Sequence, residues 1–246
     1  MPKKIVTFIL YEIPIIKQEL VRRSSSSKAA VLLRLFGRLF LIYFIFFIVL
    51  GLLKEYYPWI TGDEYEQASL MDLMRDDPLY FLVATVIIAP LLEEGMFRTL
   101  IKPTLSQAAF FLTAWIIFLG RSFIPADVHW MIANGFLLVL GIFLWMALKE
   151  LLNTPFVHRQ LAFLNRGYVA MWMVTSLLFG LIHVMNYVEG FELNLVLFLL
   201  IFPRIVAGYF FGKIKILNQS MVWPMALHAM NNGVVFLILL PRILSS

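Results

Sequence analysis

Four places along the 246-residue chain set polar or ionisable side chains among apolar ones, and each suits a definite chemistry. The first reads Pro90-Leu-Leu-Glu93-Glu94-Gly-Met-Phe-Arg98. Adjacent residues on a helix project about 100° apart, so the two carboxylates meet different surroundings. Arg98 stands four residues after Glu94, the spacing of an ion pair along one helix face. That assigns Glu94 to Arg98 and leaves Glu93 for acid–base work. Pro90 removes a backbone hydrogen bond just before the pair and can bend the helix there. By residue types alone, an interfacial salt bridge at a helix end explains this segment equally well.

The second place is Phe179-Gly-Leu-Ile-His183, and the third is His228-Ala-Met-Asn-Asn232. In each, the first and last residues are spaced i,i+4 and share a face. A histidine so placed can be a general acid, an oxyanion donor, a metal ligand or a structural bond between helices. Asn232 is favoured over Asn231, which projects elsewhere, and Pro224 falls in the tolerated first helical turn. The fourth is Arg204, after Pro203, which can hold a substrate carboxylate, pair with a glutamate, or merely snorkel and pack. His129 and His158 are expected at the surface, and Gly208 and Gly212 read as a close-packing face.

Together the glutamates, histidines and asparagine can activate a water and stabilise an oxyanion. Glu93, His183 and His228 can equally hold a divalent metal such as zinc. With no cysteine in the chain, thiolate sites and Cys nucleophiles are excluded. Nothing matches H-E-x-x-H, G-x-S-x-G or a phosphate-cradling loop.

The elements that must position these residues follow from composition. Hydrophobic residues make up 61% of the chain and charged ones 14%, against about 45–50% and about 25% in soluble proteins. Mean hydropathy is +0.87. A soluble globule cannot bury that much apolar surface, and the same runs rule out a disordered chain. The sequence predicts an all-α polytopic membrane bundle with spans near 35–53, 79–101, 105–120, 128–148, 168–187, 193–212 and 221–240. Each must be helical, because a segment crossing lipid satisfies its own backbone. The ends of the chain read as a basic cytosolic segment over 1–34, with an interfacial helix over 3–20, and one membrane domain over 35–246.

Lys and Arg alternate in density from loop to loop. Residues 1–34 carry seven, whereas 54–78 carry Lys54 and Arg75 against seven acids. The positive-inside rule then sets the N-terminus in the cytosol and the C-terminus outside. The net charge of +5 is spent on this bias, so no nucleic-acid partner is expected.

The three motif segments resemble the signature of the CPBP family, the CAAX-protease and bacteriocin-processing (Abi) group of intramembrane proteases. Its EExxxR, FxxxH and HxxxN read here as Glu93-Glu94-Gly95-Met96-Phe97-Arg98, Phe179-Gly180-Leu181-Ile182-His183 and His228-Ala229-Met230-Asn231-Asn232. Ser176, Gly208, Gly212 and Trp223-Pro224 look similar too, so the likeness runs over about 79–240. It implies a helical endopeptidase with a catalytic set of Glu93, Glu94, His183, His228 and Asn232. Glu93 would activate water, His183 would assist, and His228 with Asn232 would polarise the scissile carbonyl. Glu94 and Arg98 would shape the site, as would Phe179 of the second motif; Arg204, which lies outside the motifs, is a site-shaping or substrate-binding candidate on its own placing. Family members are described both as metalloproteases and as metal-free enzymes, so the metal question stays open. The chain departs from the pattern at Thr99, where the family usually has Gly. It also has 84 residues between Arg98 and His183, which include an extra pair of spans.

The resulting expectation is a multi-pass intramembrane protease, in the cell membrane if bacterial, that cuts a lipidated CAAX-type tail or a peptide precursor. Two rivals are a non-catalytic immunity or scaffold protein of the same fold and a cation- or proton-coupled transporter. The lack of inverted repeats counts against the transporter.

Overall fold

The computed structural model describes residues 27–60, 65, 68–188, 190 and 192–244. The helix expected over 3–20, and all of the basic segment before residue 27, lie outside these. Every described element is helical. The elements are α1 (Lys28–Tyr56), α2 (Ala68–Asp76), α3 (Pro78–Phe97), α4 (Leu105–Gly120), α5 (Trp130–Leu151), α6 (Pro155–Arg166), α7 (Tyr168–Ile182), α8 (Leu195–Asn218) and α9 (Val222–Leu244). A 3₁₀ turn, His183–Asn186, extends α7. Among the described residues seven helices are long and apolar enough to cross a membrane, and they coincide with the seven expected spans. Large apolar side chains such as Phe44, Phe47, Val139 and Phe143 lie exposed on α1 and α5, as contact with lipid requires.

Helix ends differ from the hydropathy windows where capping, rather than apolarity, decides. Ser27 accepts the Ala30 N–H through its hydroxyl, which starts α1 before the apolar run begins. Gln219 closes α8 at φ 54°, its N–H bonded to the Lys215 carbonyl at 2.7 Å. The loops 54–78 and 149–167 each hold a short helix. In the second, Thr154 caps α6 and Pro155 occupies its first turn.

The chain forms two compact units. The first draws on the described residues up to Met71 and on Trp172–Leu227. In it α7 approaches α8 closely: a Cβ on Gly180 would collide with the Ile205 side chain and sit 3.0 Å from its backbone nitrogen. Trp172 stacks on Tyr209 and donates its indole N–H to the Tyr209 carbonyl at 2.8 Å. Val184, Leu197 and Ile201 form a buried cluster nearby. Tyr43 on α1 donates its hydroxyl to the Pro203 carbonyl at 3.2 Å. Gly180→Val is therefore expected to force α7 off α8 and lower the melting temperature in detergent, whereas the same change at open Gly135 is expected to be mild.

The second unit comprises Asp72–Met171 and His228–Ser246. Gly95 of α3 faces α4, where an added Cβ would lie 2.8 Å from Ala114 Cβ. Trp145 of α5 donates to the Ser106 carbonyl of α4 at 3.0 Å. Phe81 of α3 and Phe236 of α9 stack at 6.2 Å. In the middle of α3, residues Ala84–Ile88 form a single π turn, and the α-helix resumes over Ala89–Phe97.

Candidate active site

The glutamate pair occupies the last turns of α3, before the chain leaves the helix at Arg98. Glu94 is fully buried, and both its oxygens are engaged. Oε2 accepts from Arg98 Nε at 3.2 Å, the i,i+4 pair that the spacing predicts, and both side chains are wholly inaccessible. Oε1 lies 2.9 Å from His228 Nδ1 on α9. A carboxylate only accepts, so Nδ1 carries the hydrogen and donates it. The other ring nitrogen, Nε2, then lies 3.8 Å from Glu93 Oε2. Two atoms that far apart can share one water at hydrogen-bond distance from each.

The two glutamates therefore differ in kind. Glu94 holds Arg98 and the His228 ring in a buried array, whereas the Glu93 side chain keeps 25% of its surface accessible, with Oε2, the oxygen nearest His228, itself buried. That the Glu94 array also clamps the histidine ring has no counterpart in the i,i+4 spacing of the sequence.

Asn232 lies one turn beyond His228. Its Nδ2 donates to the Thr85 carbonyl of α3 at 2.8 Å, and its Oδ1 accepts from Asn231 Nδ2 at 3.1 Å. Asn231 is thus in contact with its neighbour's amide, a link that facing arguments miss. Glu93, Glu94, Arg98, His228 and Asn232 all belong to the second unit.

Phe179, His183 and Arg204 belong to the first unit. The His183 ring sits 4.8 Å from the buried Phe179 ring and donates from Nδ1 to the Phe179 carbonyl at 2.6 Å. Arg204 donates to the Tyr187 hydroxyl at 2.7 Å and to the Leu200 carbonyl at 3.3 Å, with its guanidinium 5.3 Å from the Tyr187 ring centre. Tyr187 escaped the sequence reading, although it stands four residues after His183 and four is the spacing that finds helix neighbours. His129 caps α5 through Nδ1, and His158 bonds Asn153. Gly208 and Gly212 are buried in α8.

Both Glu94 oxygens are committed within the protein, and among the described residues no group of three His, Asp or Glu side chains is placed to hold a metal ion.

In a comparison with known families, residues 135–234 match the model described as Type II CAAX prenyl endopeptidase Rce1-like. The resemblance to the CPBP family holds. The Rce1-like stretch carries Phe179, His183, Arg204, His228 and Asn232, while Glu93, Glu94 and Arg98 precede it. At the level of the family the match supports a CAAX-type membrane protease. With the seven apolar helices, it marks a multi-pass integral membrane protein. No curated protein and no solved structure matches the chain.

Proposed function

We propose that the chain is an intramembrane endopeptidase that hydrolyses a membrane-proximal peptide bond by attack of a water activated at Glu93. The observation that carries this reading is the placing of a partly accessible glutamate, through its buried Oε2, 3.8 Å from a histidine that a second, wholly buried carboxylate holds from behind. In the first step Glu93 takes a proton from the water as its oxygen bonds to the scissile carbonyl carbon. By the role its motif position implies, His228 polarises the scissile carbonyl while its Nδ1–H stays on Glu94. His183 assists, by the role its motif position implies, and Asn232 belongs to the same site. When the oxyanion collapses and the C–N bond breaks, Glu93 gives its proton to the leaving amine. No step requires a metal.

The Rce1-like stretch favours a prenylated C-terminal tail as substrate, with an unlipidated peptide precursor as the second choice. Residues 35–246 act in this reading as one protease domain. The purified chain in liposomes should cleave a farnesylated C-terminal peptide, with the new termini located by mass spectrometry. A chain that binds both peptide types but cuts neither would be the scaffold of the same fold, and one that moves cations would be the transporter.

The Lys and Arg bias further sets the N-terminus in the cytosol and the C-terminus outside. A tag on Met1 is expected to resist external protease in intact cells, and one after Ser246 to be removed. Both tags on one side would take a span out of the proposed topology.

A further inference from the structure

The π turn in α3 leaves a backbone group to be accounted for. In an α-helix the Thr85 carbonyl would accept from the N–H of residue 89, and in a π turn from that of residue 90. Neither arrangement is available. The Ala89 N–H goes to the Ala84 carbonyl, and residue 90 is a proline with no N–H to give. The Thr85 carbonyl instead accepts from Asn232 Nδ2 at 2.8 Å. The Thr85 hydroxyl is used elsewhere, donating to the Phe81 carbonyl at 2.8 Å. A carbonyl inside an apolar bundle has no water to fall back on, so a side-chain donor from the next helix is the available remedy.

We infer that Asn232 is a positioning residue: its amide replaces the donor that Pro90 removes from α3, and so sets the height of His228 against the two glutamates. The inference rests on the peptidase reading of that site for its catalytic consequence, but not for its structural content. His228, Asn232 and Phe236 recur every four residues and form one face of α9. They meet Glu94, Thr85 and Phe81 of α3, in reverse chain order. The Asn232 bond is the middle rung of this antiparallel ladder, and the His228 contact with Glu94 is the rung beside the glutamates. Without the middle rung, α9 can slide or rotate on α3. A shift of about 1 Å at His228 is enough to spoil the 2.9 Å bond that orients its ring. The amide's orientation is fixed from both ends, since Asn231 Nδ2 donates to Asn232 Oδ1.

The relation between Pro90 and Asn232 makes the inference testable by a double-mutant cycle. Pro90→Ala supplies an N–H within reach of the Thr85 carbonyl, so Asn232 should matter less in that background. Melting temperature in detergent and the kcat and KM for the liposome peptide are measured for Asn232→Ala, Pro90→Ala and the double variant. Asn232→Ala alone should lower the melting temperature by about 3 °C or more. It should also lower kcat roughly tenfold with KM little changed, the pattern of a misplaced catalytic group. In the Pro90→Ala background the same change should cost less than about threefold in kcat and little in melting temperature. An equal kcat loss in both backgrounds, with additive melting temperatures, would mean that Asn232 acts on the substrate directly and would overturn the inference. If no variant, nor the natural chain, cleaves peptide, the peptidase reading falls, while non-additive melting temperatures still uphold the Pro90–Asn232 coupling. Should Pro90→Ala not fold, Pro90→Leu supplies the same N–H. If neither folds, Asn232→Ala decides alone: an unchanged melting temperature sinks the inference and a fall upholds it.

Discussion

Glu93→Gln is expected to yield a folded, membrane-inserted chain whose peptide cleavage is slower by about a hundredfold or more, the usual loss when a general base is removed. Glutamine preserves the shape of the side chain and can still hydrogen-bond a water, but it cannot take that water's proton. Little of the fold depends on the change, because the Glu93 side chain keeps a quarter of its surface accessible and the buried array is built on Glu94. The effect should therefore fall on kcat, with elution profile and melting temperature close to those of the natural chain. Comparing the two at equal protein levels, with His183→Gln alongside, checks both roles. Undiminished cleavage by Glu93→Gln would remove this carboxylate from the reaction and require a base elsewhere.

What the sequence could and could not reveal divides along the range of the forces involved. Hydropathy is a property of contiguous residues, so all seven spans are legible in the order of the residues alone. The Glu94–Arg98 pair is legible for the same reason, since one helical turn fixes who stands beside whom. Thr154-Pro155 carries a start signal for α6 that an apolar window passes over, because a cap acts through one hydroxyl and not through transfer energy.

The site contacts between helices are a different matter. His228 meets Glu94 across a separation of 134 residues, and nothing in either segment's spacing names the other. The motif resemblance puts both in one reaction, and the Rce1-like match spans the stretch that holds the later two motifs. It does not show that Glu94, rather than Glu93, clamps the imidazole. The motif casts Asn232 as a donor to substrate. Its bond to Thr85 depends on a π turn whose only trace in the sequence is Pro90, a residue that by itself signals no more than a bend. A proline bends a helix by withholding a donor, and the withheld donor turns out to be what brings α9 in.

The buried array also sets the largest stability effect. Arg98 is wholly buried, cannot lose its proton, and donates from Nε to a carboxylate that is itself wholly buried. Such a pair need not favour folding over an apolar pair of equal volume, yet removing one member alone typically costs about 3–5 kcal/mol. Glu94→Leu is therefore expected to give little folded protein, and to cost more stability than any change at Glu93. Adding Arg98→Met should restore most of the folding, since the charge whose burial made the loss expensive is then gone. Cleavage should not return with it, because the His228 ring has lost the acceptor that holds Nδ1, and with it the orientation that sets Nε2 beside Glu93. The three chains are compared by yield of monodisperse protein, melting temperature and peptide turnover. A Glu94→Leu chain as stable as the natural one would show that the Arg98 charge is balanced without Glu94. Full activity in Glu94→Leu/Arg98→Met would show that His228 needs no orienting carboxylate, and Glu94 would then have no part in the chemistry.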